Sequence, residues 1–120
     1  MAEAFRPTAL VVEDDELQRL AAASVLQDAD MNVIQCESGE AAIMVLNRQG
    51  GCLCLMFTDV NLAGRVTGGE LAALAAERFP QIRIIVTSGR GPPELPARAL
   101  FMSKPWNPSL LSEEAFASCH

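Results

Sequence analysis

The chain has 120 residues, half of them hydrophobic and a fifth charged, with a formal net charge of −6. That length suffices for one domain with a single core and no covalent staples. The acidic balance excludes nucleic acid and anionic membrane as expected partners, since both select basic surface.

Met1 to Pro7 is short and polar, and no apolar run nears membrane-spanning length, so a cytoplasmic domain spanning residues 1–120 is expected. Residues 8–13 read as a first strand, Leu10-Val11-Val12 running into Glu13-Asp14-Asp15. A helix follows from about Glu16 to Gln27, with Leu17, Leu20, Ala21, Ser24 and Val25 at the spacing of one buried face. Met31 to Cys36 makes a second strand. Ser38 is placed to cap a helix over Gly39–Arg48, whose apolar stripe is Ala42, Ile43 and Leu46.

The third strand, Cys52–Thr58, is apolar until it stops at Thr58-Asp59-Val60-Asn61. A glycine-rich loop, Asn61–Gly69, leads into a helix over Gly69–Phe79 that ends before Pro80. Ile82–Thr87 is a fourth strand and Ala99–Met102 a fifth, the latter running into Ser103-Lys104-Pro105. Asn107 then caps a last helix with Pro108 at its first position. Between the fourth and fifth strands, Gly89 to Arg98 holds three prolines and two glycines in ten residues. Internal prolines remove hydrogen bonds and clash with the preceding turn, so the helix expected there is shortened to one turn near Glu94–Ala97, or absent. Its loss is expected to bare apolar side chains near the fourth and fifth strands, a face suited to a partner or a homodimer.

This alternation implies a doubly wound, five-stranded parallel α/β sheet with helices on both faces. In such sheets the carboxyl ends of the strands open onto the binding crevice. Three strand ends would then bring acids, one isolated aspartate and one lysine to a single pocket. Lys104 is the only lysine; the other basic residues are arginines. Singly, each group has an ordinary explanation: Asp59 a turn residue, Glu13-Asp14-Asp15 a helix start, Lys104 a solvated turn residue, Thr87 a strand residue. Together they suit phosphoryl transfer. Asp59 is a nucleophile able to form an acyl phosphate. Glu13 and Asp14, with a backbone carbonyl near Asn61, suit Mg²⁺. Lys104 and Thr87 would meet phosphoryl oxygens.

Of the four cysteines, Cys36, Cys52, Cys54 and Cys119, the Cys52/Cys54 pair reads as reduced core thiols rather than a metal or redox pair. His120, the only histidine, is terminal and read as a frayed tail, which leaves no histidine-based chemistry.

The stretches Val-Val-Glu-Asp-Asp (11–15), Phe-Thr-Asp-Val-Asn-Leu (57–62), Val-Thr-Ser-Gly (86–89) and Phe-Met-Ser-Lys-Pro-Trp (101–106) resemble the receiver domain of two-component response regulators. The resemblance implies a flavodoxin/CheY-like sheet of strand order 2-1-3-4-5. It implies that Asp59 accepts a phosphoryl group from a histidine kinase or histidine phosphotransfer protein and signals to a downstream protein target. It likewise implies an Mg²⁺ site of Glu13, Asp14, Asp59 and the Asn61 backbone, Lys104 as the phosphoryl contact, and Thr87 with Phe101 as a switch pair. The domain itself is then no enzyme beyond its own phosphorylation and dephosphorylation. Ala63 stands where the family usually has proline, and residues 64–68 make the loop one residue longer than its commonest form, which predicts a looser loop. The alternatives are an interaction module that ignores phosphorylation, a receiver piece of a hybrid histidine kinase, and a small aspartyl-intermediate phosphatase. The last lacks a second acid at Asn61.

Overall fold

The computed structural model describes residues 6–119, with side chains through Ser118; His120 and the Cys119 thiol lie outside the described residues. Five strands and four α-helices follow in the order β1 (Thr8–Val12), α1 (Glu16–Asp28), β2 (Asn32–Cys36), α2 (Gly39–Gln49), β3 (Leu53–Asp59), α3 (Gly68–Arg78), β4 (Arg83–Ser88), β5 (Leu100–Ser103) and α4 (Pro108–Cys119). A single 3₁₀ turn, Gly50–Cys52, joins α2 to β3. All strand pairs are parallel, in the order β2-β1-β3-β4-β5.

Because successive residues of a strand point to opposite faces, the sheet builds two cores. On one face Leu10, Met56, Ile84 and Val86 pack against Ala42 and Leu46 of α2 and Leu71, Ala72 and Ala75 of α3. On the other, Val11, Leu55, Phe57 and Ile85 pack against Ala22 and Leu26 of α1 and Leu111 and Ala115 of α4. Each fully buried aliphatic side chain contributes roughly 1.5–3 kcal/mol.

The helix starts carry the expected caps. Ser38 Oγ accepts from Ala41 N, and Asn107 Oδ1 accepts from Ser109 N at 2.8 Å. Thr67 and Glu70 form a reciprocal capping box on α3. Gly68 opens α3 directly behind the end of β3. A Cβ there would lie 2.0 Å from the Asp59 carbonyl oxygen, so only glycine fits.

Three expectations are corrected. Helix α1 turns inward the stripe Arg19, Ala22, Ala23 and Leu26, while Leu17 is 79% exposed, Leu20, Ala21 and Ser24 are exposed, and Val25 is half-buried. Both stripes share the helical period. The inward one begins with an arginine whose guanidinium finds a buried acceptor, so periodicity of hydrophobicity selects the wrong face. Cys52 belongs to the 3₁₀ turn and is exposed, and Cys54 is half-buried rather than core; Cys36 is buried.

No helix forms over residues 89–99, where a turn closes with Ala99 N donating to Pro96 O. Yet the connection still covers the sheet: Leu95 and Ala99 pack on the α2/α3 core, and Ile84, Ile85 and Val86 are fully buried. Part of the expected apolar surface remains: Leu100 and Phe101 are half-exposed, and Val60, Ala73, Pro93, Leu95 and Pro96 line an open cleft of about 680 Å³ beside α3. The large exposed apolar side chains among the described residues are Leu17 and Leu20 of α1, Met44 of α2, and Leu110 and Phe116 of α4. Among the described residues no helix is long and apolar enough to cross a membrane.

Candidate functional site

Register brings the chemistry to one place. Val12 pairs with Thr58, Asp59 with Thr87, and Thr87 with Met102. Glu13 continues the parity of Ala9 and Val11, Asp59 that of Leu55 and Phe57, and Thr87 that of Ile85. Lys104 continues the parity of Met102. All four therefore emerge on the α1/α4 side of the sheet's carboxyl edge.

Glu13 and Asp59 are 4% and 5% exposed, while Asp14 faces solvent. One carboxylate oxygen from each of Glu13, Asp14 and Asp59 lies within 4.8 Å of the others. Lys104 Nζ bridges two of them, donating to Asp59 Oδ2 at 2.5 Å and to Glu13 Oε1 at 3.2 Å. The other Asp59 oxygen, Oδ1, accepts from Asn61 N at 3.0 Å, so the loop folds its backbone over the carboxylate.

One ammonium does not balance three carboxylates, and Glu13 shows the consequence. Burial first, then a side-chain hydrogen bond with Asp14 and the charge of Asp59, pushes its pKa up to about 7. Burial pulls the Lys104 ammonium down, but the hydrogen bonds to Asp59 and Glu13 outweigh it and leave its pKa above the ordinary lysine value. Thr87 is buried beside Asp59, and its Oγ1 has no hydrogen-bond partner among the described residues. A buried hydroxyl without a partner carries a desolvation penalty of about 1–3 kcal/mol.

Clustered carboxylate oxygens with an open, solvated side suit a hard divalent cation that keeps several waters. The donor set is all oxygen, with no thiol or imidazole, and so fits Mg²⁺. The cluster's excess negative charge is what such an ion would neutralise.

Residues 9–115 match the family described as the response regulator receiver domain. The chain belongs to that family. A curated relative, the response regulator protein FleR of Pseudomonas aeruginosa, is 32% identical over 82 residues, a stretch covering 68% of this chain but 17% of that protein. Among solved structures, a response regulator receiver protein from Sinorhizobium medicae superposes with a TM-score of 0.84 at 24% identity, covering 94% of each chain. The receiver domain of the hybrid histidine kinase CckA superposes with a TM-score of 0.80 at 24% identity, covering 94% of this chain and 99% of that one.

In this receiver domain Phe101 stands apart from the acidic cluster. It pairs with Val86 and lies half-buried on the opposite face of the sheet, toward the connection that lacks a helix. Two supporting side chains escape a reading based on motifs. Arg19 Nη1 donates to the Glu13 carbonyl at 3.0 Å, a buried bond that fixes the turn between β1 and α1. Glu40 Oε2 accepts from Arg65 N at 3.0 Å, tying α2 to the loop after Asp59. The only signal for Arg19 is a charge on the helix stripe adjacent to the one chosen by hydrophobicity. Glu40 gives none, because it looks like an ordinary first-turn acid.

A cleft of about 380 Å³ between α1 and the β5–α4 turn is lined by Gln18, Lys104, Pro105 and Trp106. Trp106 packs edge-on against Phe57, ring centroids 5.4 Å apart, two residues before Asp59. As the only tryptophan, it is a built-in fluorescent reporter of the site.

Proposed function

We propose that residues 1–120 form one receiver domain that accepts a phosphoryl group on Asp59 from a histidine kinase or histidine phosphotransfer protein. The observation that carries this reading is the meeting of a buried Asp59 with Lys104 and two further acids, beside an unpartnered Thr87 hydroxyl. A carboxylate oxygen of Asp59 attacks phosphorus. The bond from phosphorus to the donor's imidazole nitrogen breaks, its electron pair leaves with the imidazole, and an aspartyl phosphate remains.

Glu13, Asp14, Asp59 and the Asn61 carbonyl would hold Mg²⁺, which would supply neutralisation of charge on the reacting oxygens. Lys104 exchanges its bond to Asp59 Oδ2 for one to a phosphoryl oxygen. Thr87 Oγ1 then gains the acceptor it lacks, and the shift of the β4 end, carried through the pairing of Val86 with Phe101, repositions Phe101 on the far face of the sheet and passes the state to a downstream protein. The donor approaches where Leu17 and Leu110 stand exposed, at the helix starts nearest the acidic cluster. The domain works in the cytoplasm.

The test is direct. Incubation with Mg²⁺ and a small acyl phosphate should add one phosphoryl group by intact mass, and omission of Mg²⁺ or the substitution Asp59→Asn should prevent it. A protein that stays unmodified, or an Asp59→Asn variant still modified, contradicts the proposal.

A further inference from the structure

The loop between β3 and α3 lacks the proline expected at position 63 and is a residue longer than usual, yet it is tied to α2. Gly64 adopts φ +95, a conformation that L side chains rarely take. The turn this creates points the Arg65 N–H out of the loop toward the first turn of α2. There the Glu40 carboxylate accepts from Arg65 N at 3.0 Å. Hydrogen bonds from the backbone of Arg65, its own residue and Val66 hold that carboxylate below its ordinary range. The fit is close, since a Cβ on Gly64 would lie 2.7 Å from Glu40 Oε2. A Cβ on Gly39, next to Glu40, would likewise lie 2.7 Å from the Val66 side chain.

The two ends of this loop are fixed by Asp59 and by α3. Asn61 N donates to Asp59 Oδ1, and Gly68 N donates to the Val60 carbonyl at 2.9 Å. The middle, 62–66, is held from outside at two kinds of point: Leu62 and Val66 pack on the α2/α3 core, and Glu40 supplies the polar anchor between them. We infer that Glu40 is a positioning residue for the acceptor site: by clamping Gly64–Val66 from a separate helix, it holds the Asn61 backbone in place over Asp59. It touches neither Asp59 nor the acids beside it. The inference rests on the reading of Asn61 as a backbone ligand for Mg²⁺, and the clamp takes over the stiffening that a proline at 63 would give.

The experiment measures Mg²⁺ affinity by Trp106 fluorescence, alongside melting temperature in chelator, for the parent, Glu40→Ala, Glu40→Gln, Gly64→Ala and the Glu40→Ala/Gly64→Ala double variant. Outer-shell supports of metal ligands typically act at 10–100-fold, and a loop anchor one step further out should act at about three- to tenfold in Kd. Glu40→Ala and Gly64→Ala should each weaken Mg²⁺ binding by that factor, with Glu40→Gln intermediate because its amide oxygen still accepts one N–H. The double variant should be little worse than either single one, because both break the same contact. An unchanged Kd in Glu40→Ala, whether or not its melting temperature falls, overturns the inference. A parent that fails to bind Mg²⁺ overturns the metal reading as well, and Asp14→Ala, which should abolish binding where Glu40→Ala only weakens it, separates the two failures.

Discussion

The two ends of the sheet are built to opposite specifications. At the amino end, the polar groups meet partners. Arg98 Nη1 donates to Ile82 O, and its Nη2 donates to Phe79 O at 3.1 Å, fastening the helix-free connection to the end of α3. Gln81 Nε2 donates to the Gly50 carbonyl at 2.9 Å, and Arg83 grips both oxygens of Glu114 at 2.9 and 2.8 Å. At the carboxyl end, Glu13 and Asp59 share one lysine, Glu13 is driven toward protonation, and the Thr87 hydroxyl is buried with no partner among the described residues. One end is satisfied and one end waits. Unmet interactions in an otherwise consistent fold mark the place where function is kept, because a bound ion or group can supply what the chain withholds.

Substitutions at the two ends should therefore fail differently. Asp14→Ala should abolish the rise in melting temperature produced by Mg²⁺ while leaving the metal-free protein at least as stable, since it removes charge from a repulsive cluster. Arg98→Ala should do the reverse, lowering stability by about 1 kcal/mol through the bond lost at the part-buried Ile82 carbonyl, with Mg²⁺ affinity unchanged. Denaturant melts with and without Mg²⁺ measure both; an Arg98→Ala variant with impaired Mg²⁺ affinity would erase the contrast.

pH should expose the waiting end directly. The Glu13 pKa rises from 4.5 to about 7 on folding, so between those values the folded chain holds a proton that the unfolded chain has released. The associated stability is complete below the unfolded value and is lost as pH rises through about 7. Metal-free protein should therefore lose stability across this window, and saturating Mg²⁺, which favours the charged carboxylate, should flatten the loss. Equal pH dependence with and without the ion would place the metal elsewhere.

The smallest effect on stability should come from Thr87→Val. It exchanges an unpartnered buried hydroxyl for a methyl group, so stability should stay within about 0.5 kcal/mol of the parent or increase. The change in Trp106 fluorescence on phosphorylation should nevertheless shrink. A large destabilisation would mean that the hydroxyl already has a partner.

Much of this was legible in the sequence because strand ends punctuate strongly: Val12 into Glu13, Phe57 into Asp59, and Met102 into Lys104 are abrupt changes from apolar to charged. The missing helix was legible in Pro92, Pro93 and Pro96, which act locally. What was illegible depended on tertiary partners. Arg19 turns inward only because the Glu13 carbonyl awaits it, which sends Leu17 and Leu20 outward. Cys52 is exposed because the chain makes a 3₁₀ turn before β3 begins. Leu95 and Ala99 cover β4 without a helix, because Arg98 holds their segment down. Glu40 acquires meaning only when the Gly64 turn comes to rest against it.

The central claim is that Asp59, and not a neighbouring acid, takes the phosphoryl group. Reducing the phosphorylated protein with borohydride converts an aspartyl phosphate to homoserine and leaves free carboxylates untouched, so peptide mass spectrometry reads the site residue by residue. Homoserine should appear at position 59 and only after treatment with phosphodonor and Mg²⁺. A reduced side chain at Glu13, Asp14 or Asp15, with position 59 unchanged, would contradict the account.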